Sequence, residues 1–174
     1  MTAAMMVLVV LPALLAAAAV LDLISFRIPN AIPAAMIVLF LVFLLAALAS
    51  GRAMSWNEAG WHVLAGTLGL LAGMALFAAR WIGGGDAKLF AAASLWLGWD
   101  PLLEYALVAS VLGGALTLAL IALRRYPVPV LFTKQSWIVR LCDHEAGVPY
   151  GIALALGALA VLPGTDVFQI ALQS

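Results

Sequence analysis

Apolar residues in this chain fall into long uninterrupted runs, and polar residues gather in short clusters between them. Runs free of charged residues cover 1–21, 28–51, 59–79, 105–123 and 146–165. Each approaches the ~20 residues that a helix needs to span a hydrocarbon core. A sixth run, 89–99, is shorter, and its length suits a buried or re-entrant piece as well as a crossing. The charges between the runs arbitrate. With six crossings, Arg27, Arg80, Lys88, Arg124, Arg125, Lys134 and Arg140 fall on one side and only Arg52 on the other, a strong positive-inside bias. Were 89–99 not to cross, Arg124, Arg125, Lys134 and Arg140 would change sides and the bias would vanish. The pattern therefore predicts an all-α, polytopic integral membrane protein with six transmembrane helices. Both termini are expected outside the cytoplasm, and the loops at 22–27, 80–88 and 124–145 are expected to face it.

Composition agrees with that picture. Of 174 residues 67% are hydrophobic, which excludes an ordinary soluble globular domain. Eight basic residues balance eight acidic ones, and no nucleic-acid partner is expected. A single cysteine, Cys142, excludes an internal disulfide and a multi-cysteine zinc site. No cofactor or metal is expected. The first run lacks the basic start of a secretory signal and is read as a crossing. No internal repeat or linker appears, so residues 1–174 are expected to form a single membrane-embedded domain.

Local signals sharpen the boundaries. Pro29 pushes Ile28 out of helical geometry, which ends the first helix before it and leaves Asp22 in the last turns. Pro33 falls in the first turn of the second helix. Gly66, Gly69 and Gly73 recur at three- and four-residue spacing and predict a close helix-packing face. Trp56 and Trp61 suit the headgroup belt, and His62 beside them is read as an interfacial polar residue. In the loop at 124–145, Trp137, Ile138 and Leu141 share one face of a predicted interfacial helix. Asp143, His144 and Glu145 are read as a solvated turn. Pro149 suits the start of the last helix.

The chemistry concentrates in Gly83-Gly84-Gly85-Asp86-Ala87-Lys88. A P-loop would need a Ser or Thr after the Lys and different glycine spacing, and no strand precedes the glycines as a dinucleotide site would require. The glycines can let the chain turn tightly and let another chain approach closely. Asp86 is expected as the N-cap or a first-turn residue of the short fourth helix. The stretch from Ala87 to Trp99 makes roughly 20 Å of helix against a core of about 30 Å. Asp86 then lies roughly a third of the way into the membrane. An Asp at a helix centre costs about 2.5–3.5 kcal/mol on insertion scales, so a functional role is the first hypothesis. Asp22 is its natural partner, on the same side at a similar depth. Two carboxylates sharing a site can divide base and acid roles in peptide hydrolysis. A helix C-terminus disfavours charge on Asp22 and a helix N-terminus favours it on Asp86, which makes Asp86 the expected initial base and Asp22 the initial acid. Lys88 reads either as an interface anchor or as a group meeting the substrate.

Asp22-Leu23-Ile24-Ser25-Phe26-Arg27-Ile28-Pro29-Asn30, Gly83-Gly84-Gly85-Asp86-Ala87-Lys88-Leu89 and Pro149-Tyr150-Gly151 together resemble the type IV prepilin peptidases, membrane aspartic proteases of the GxGD type. The resemblance implies that Asp22 and Asp86 are catalytic, with Gly83, Gly84, Gly85 and Lys88 in the active-site loop. It implies cleavage of the N-terminal leader of a prepilin or pseudopilin at the cytoplasmic face of the bacterial inner membrane. Larger members also N-methylate the new terminus, using a cytoplasmic insertion that often carries paired Cys-x-x-Cys motifs. Here only the nine residues from Asp22 to Asn30 separate the first two segments, so methylation is not expected and the chain resembles the branch serving Flp-type, tight-adherence pili. Two other classes stay open at this point. One is a small proton- or ion-coupled transporter, and the other is an assembly factor whose aspartates merely cap helices or pair with Arg27 and Lys88.

Overall fold

The computed structural model describes residues 3–50, 54–126 and 133–173, and every regular element among them is helical. A short α1 (Ala3–Met5) runs through a π-helical turn (Met6–Val10) into α2 (Leu11–Ser25). Next come α3 (Ala31–Ser50), α4 (Trp56–Ala78), α5 (Gly84–Leu97) and α6 (Leu102–Leu123). The chain closes with α7 (Ser136–Cys142), α8 (Tyr150–Val161), a 3₁₀ turn (Leu162–Gly164) and α9 (Asp166–Leu172). Arg52, Pro127 and Pro129 lie outside the described residues.

The protein is an all-α, polytopic membrane protein. Among the described residues, four helices are long and apolar enough to cross a membrane: Met6–Ser25, Ala31–Ala49, Trp56–Ala78 and Leu102–Leu123. Tyr150–Gly164 and Asp166–Leu172, bent by 61° at their junction, make a fifth if taken as one span. The expected sixth crossing corresponds to α5, whose 14 residues fall short of that length. The bend in the last span has a local cause. Pro163 stands in the 3₁₀ turn, and Thr165 starts a new helix by accepting the Phe168 N–H on its Oγ1 at 3.3 Å.

Helix ends follow the sequence signals. Ser55 and Glu58 form a reciprocal capping box, so α4 starts at Trp56, before the charge-free run at 59–79. It ends with Arg80 left-handed at φ 62°, the Trp81 N–H reaching Leu76 O at 3.0 Å and the Arg80 N–H reaching Phe77 O at 2.9 Å. This is a Schellman stop made without glycine. α2 stops at Phe26, also left-handed at φ 54°. A side chain in that region costs about 1–2 kcal/mol, and the Arg140 guanidinium lies over the Phe26 ring, 5.9 Å from its centroid. α7 carries Arg140, with Trp137, Ile138 and Leu141 half-buried and Gln135 and Asp143 exposed, as its pattern predicts. Asp143 closes an exposed turn by accepting the Glu145 N–H at 3.0 Å.

The centre of the bundle is α5, which packs against α4 most extensively and also against α3, α6 and α8. Lipid tails are as apolar as Leu, so helices in a membrane associate through close packing and hydrogen bonds rather than hydrophobic drive. The α4 glycines provide the packing. A Cβ on Gly73 would fall 2.9 Å from the Ala87 Cα, one on Gly69 2.7 Å from the Ser94 Oγ, and one on Gly66 3.0 Å from the Leu95 Cβ. On the other side, Trp96 is fully buried against Phe40 and Phe43, its indole N–H donating to Met36 O at 2.9 Å.

His62, in the second turn of α4 beside Trp61, is packed rather than solvated. It is 5% exposed, with Nδ1 2.9 Å from Leu95 O and its ring 5.5 Å from that of Phe40. Carboxylates do share its side, since both Glu58 and Asp166 act on it electrostatically.

Tyr105 stacks on Phe90 with ring centroids 5.1 Å apart, while its buried hydroxyl finds no hydrogen-bond partner among the described residues. An unsatisfied buried polar group costs about 1–3 kcal/mol. Tyr105→Phe is therefore expected to stabilise the protein by about 1 kcal/mol, read as a higher midpoint of thermal unfolding in detergent. A lower midpoint would show that the hydroxyl has a partner after all.

Candidate active site

Asp22 and Asp86 arrive from different helices, and Ile28 packs beside the surroundings of both near the start of α5. Asp22 stands in the last turn of α2, where its own carbonyl accepts the Phe26 N–H that closes the helix. Asp86 stands at the third position of α5, one turn in from Gly83. It is thus a first-turn residue and not the N-cap, and its Oδ2 reaches back to accept the Gly83 N–H at 3.0 Å. Both side chains are buried, Asp22 at 5% and Asp86 at 8% exposure, and the charge of Asp22 acts on Asp86.

The contact that fixes Asp22 comes from the other end of the chain. Pro149 precedes α8, and Gly151, second in that helix, directs its N–H at the Asp22 Oδ2 over 2.7 Å. The first N–H groups of a helix have no partner within it and carry the positive end of its dipole, which makes them a ready site for a carboxylate. Gly151 was legible in the sequence only as part of the Pro149-Tyr150-Gly151 motif opening the last helix. Its bond to Asp22, 129 residues away, needed the fold.

This contact also changes the expected division of labour. The C-terminus of α2 disfavours a charge on Asp22, but the N-terminus of α8 favours one. The helix-end asymmetry that made Asp86 the base and Asp22 the acid is therefore offset.

The glycines serve approach rather than unusual backbone geometry. Gly83 has ordinary extended angles, φ −75° and ψ 154°. A Cβ there would crowd the Asp86 Oδ2 at 3.0 Å. A Cβ on Gly85 would lie 3.1 Å from that of Ile28, and one on Gly84 would lie 3.5 Å from the Phe77 ring. Ile28 also touches Gly151, so this one side chain is wedged between the two helix starts that carry the site. Its preference for extended geometry, set by Pro29, is what brings it there.

Lys88 is exposed and donates to the Asn30 Oδ1 at 2.8 Å, tying the α2–α3 link to α5. On the other flank, Arg140 donates to Ser25 O at 3.2 Å, and Arg124 holds Leu141 O and Gly147 O at 3.0 and 2.8 Å. Among the described residues no three His, Cys, Asp or Glu side chains are placed to hold one metal ion. What the site offers is two buried carboxylates, each with one oxygen held by a backbone N–H.

No curated protein and no solved structure matches the chain. The model of the type IV leader peptidase family matches residues 9–118, a span that contains both Asp22 and Asp86. On that match, and with an all-helical membrane fold around it, the chain belongs to the type IV leader peptidase family.

Proposed function

We propose that this peptidase is an aspartic endopeptidase in which Asp22 and Asp86 form the catalytic pair. The observation that carries this reading is their convergence: two buried carboxylates from separate helices, electrostatically coupled, beside a glycine run. One carboxylate takes a proton from an attacking water, and the other gives its proton to the carbonyl oxygen of the scissile peptide. Collapse of the tetrahedral intermediate then passes a proton to the leaving amine. A coupled pair titrates as a unit, so the resting proton belongs to the dyad. Gly83 keeps the Asp86 carboxylate uncrowded, Gly84 and Gly85 let Phe77 and Ile28 pack against the start of α5, and Lys88 holds the α2–α3 link through Asn30.

The substrate is the N-terminal leader of a prepilin or pseudopilin, of the Flp type, cut at the cytoplasmic face of the inner membrane. Arg27, Arg80, Lys88, Arg124, Arg125, Lys134 and Arg140 lie in or beside the links on the side of the dyad, which supports that orientation. The orientation needs α5 to act as a sixth crossing. Its shortness then requires the bilayer to thin or the Asp86 end to sit below the surface. Only a few residues join α2 to α3, which supports leader removal without methylation.

The test is reconstitution of the full chain in vesicles with a full-length Flp-type prepilin and a methyl donor, followed by mass spectrometry of the product. The expected product lacks its leader and carries an unmodified N-terminus. An intact prepilin would refute the substrate class, and a methylated terminus would refute the single-activity reading.

A further inference from the structure

The Gly151 N–H holds the Asp22 carboxylate, so whatever sets the start of α8 also sets Asp22. That start is registered on α6. Gly113 and Thr117 in α6 and Arg124 at its C-cap recur at spacings of four and seven, which places them on one face of the helix. A Cβ on Gly113 would lie 3.0 Å from the Tyr150 Cε1, so the Tyr150 ring packs directly on the α6 backbone. Thr117 gives its hydroxyl hydrogen to Gly113 O at 2.7 Å, which makes the Tyr150 hydroxyl the donor of its 3.3 Å bond to the Thr117 Oγ1.

Arg124 acts on the turn that precedes α8. Its guanidinium is half-buried and forks, with Nε donating to Leu141 O at 3.0 Å and Nη2 to Gly147 O at 2.8 Å. Leu141 stands in the last turn of α7, so the fork spans the chain between α7 and α8. Gly147 is also the residue four before Gly151. Its carbonyl is the acceptor that the Gly151 N–H would have in a helix one turn longer. Pro149, with ψ 81°, breaks the helix at that point, the N–H turns to Asp22, and Arg124 occupies the carbonyl left behind. The same segment is tied to α2, where Arg140 donates to Ser25 O at 3.2 Å. That helix has no basic residue of its own in its last turn.

We propose that Arg124 is a positioning residue of the peptidase, which keeps Gly147 O occupied and the start of α8 in register so that the Gly151 N–H stays on Asp22. The role rests on the catalytic reading of Asp22 given above, and Arg124 acts through Gly147 and Gly151. A Lys could not substitute, because a single ammonium lacks the rigid fork that meets two carbonyls six positions apart.

Cleavage of a full-length Flp-type prepilin is measured with the full chain in vesicles, in the wild type and in Arg124→Met, Arg124→Lys, Arg125→Met, Asp22→Asn and the double variant Arg124→Met with Asp22→Asn. Arg124→Met is expected to lower kcat about tenfold with KM little changed, since it misplaces a reacting group. Arg124→Lys is expected to fall with it. Arg125→Met, which removes the same charge at the exposed neighbouring position, is expected to keep the wild-type rate. In the Asp22→Asn background the loss of Arg124 is expected to cost nothing further, because the carboxylate that it positions is already gone. Loss of folded protein would instead lower the rate by the same factor in both backgrounds, so a further tenfold drop in the double variant would overturn the proposal. So would a full rate in Arg124→Met or Arg124→Lys, or an equal fall in Arg125→Met. A slow Asp22→Asn enzyme beside a fast Arg124→Met enzyme refutes the positioning role alone, whereas a fast Asp22→Asn enzyme refutes the catalytic pair and this role with it.

Discussion

Asp22→Asn and Asp86→Asn are each expected to lower the rate of leader removal by about 10³-fold, within the range contributed by a positioned acid or base. Asn is nearly isosteric with Asp and keeps an oxygen for the backbone N–H that each carboxylate accepts, from Gly151 at 2.7 Å and Gly83 at 3.0 Å. The variants should therefore fold, and thermal unfolding in detergent checks that they do. What Asn cannot do is exchange a proton with water or with the peptide. In the proposed dyad the two carboxylates act as one unit, so the double variant is expected to be no slower than either single one. The measurement is single-turnover cleavage of a prepilin in vesicles. Normal processing by either variant would sink the dyad as the catalytic pair.

Gly151→Ala is expected to cost about 100-fold in kcat with the substrate KM little changed, because it misplaces a reacting group without touching remote substrate contacts. The added methyl would stand 2.8 Å from the Asp22 Oδ2, 3.0 Å from its Cβ and 2.7 Å from the Ile28 Cδ1. Those distances are too short, and the neighbours are buried, so Asp22 must shift away from the N–H that holds it. Gly114→Ala in α6 is the control, since nothing lies within 4 Å of the added atom, and it should leave the rate unchanged. An unimpaired Gly151→Ala enzyme would show that Asp22 tolerates displacement.

Much of the architecture was legible from one dimension, because a membrane leaves the chain few choices. Backbone groups in hydrocarbon must be satisfied within the segment, so long apolar runs can only be helices or parts of closed barrels, and five charge-free runs of suitable length marked them out. Gly66, Gly69 and Gly73 announced a close interface, and α5 fills it at Leu95, Ser94 and Ala87. For short α5 the charge bias predicted a crossing, while its 14 residues fall short of a span by length, because length and charge bias pull opposite ways there. Of the two carboxylates that act on His62, Glu58 is local, whereas Asp166 belongs to the distant end of the chain, beyond the bend at Pro163, and no local pattern could reveal it.

Sequence alone determined the class of the protein, the pair of aspartates worth testing and their positions at helix ends, since helix breaks are local events written in Pro29 and the glycine run. Only the tertiary structure decided what holds those aspartates. The Asp22 carboxylate meets the N-terminus of α8, and that contact works against the asymmetry that the ends of α2 and α5 alone would impose. Local patterning says where a helix begins and ends. Which helix end faces which carboxylate depends on how helices far apart in the chain pack together, and for Asp86 and Asp22 that packing runs through Ile28 and Gly151.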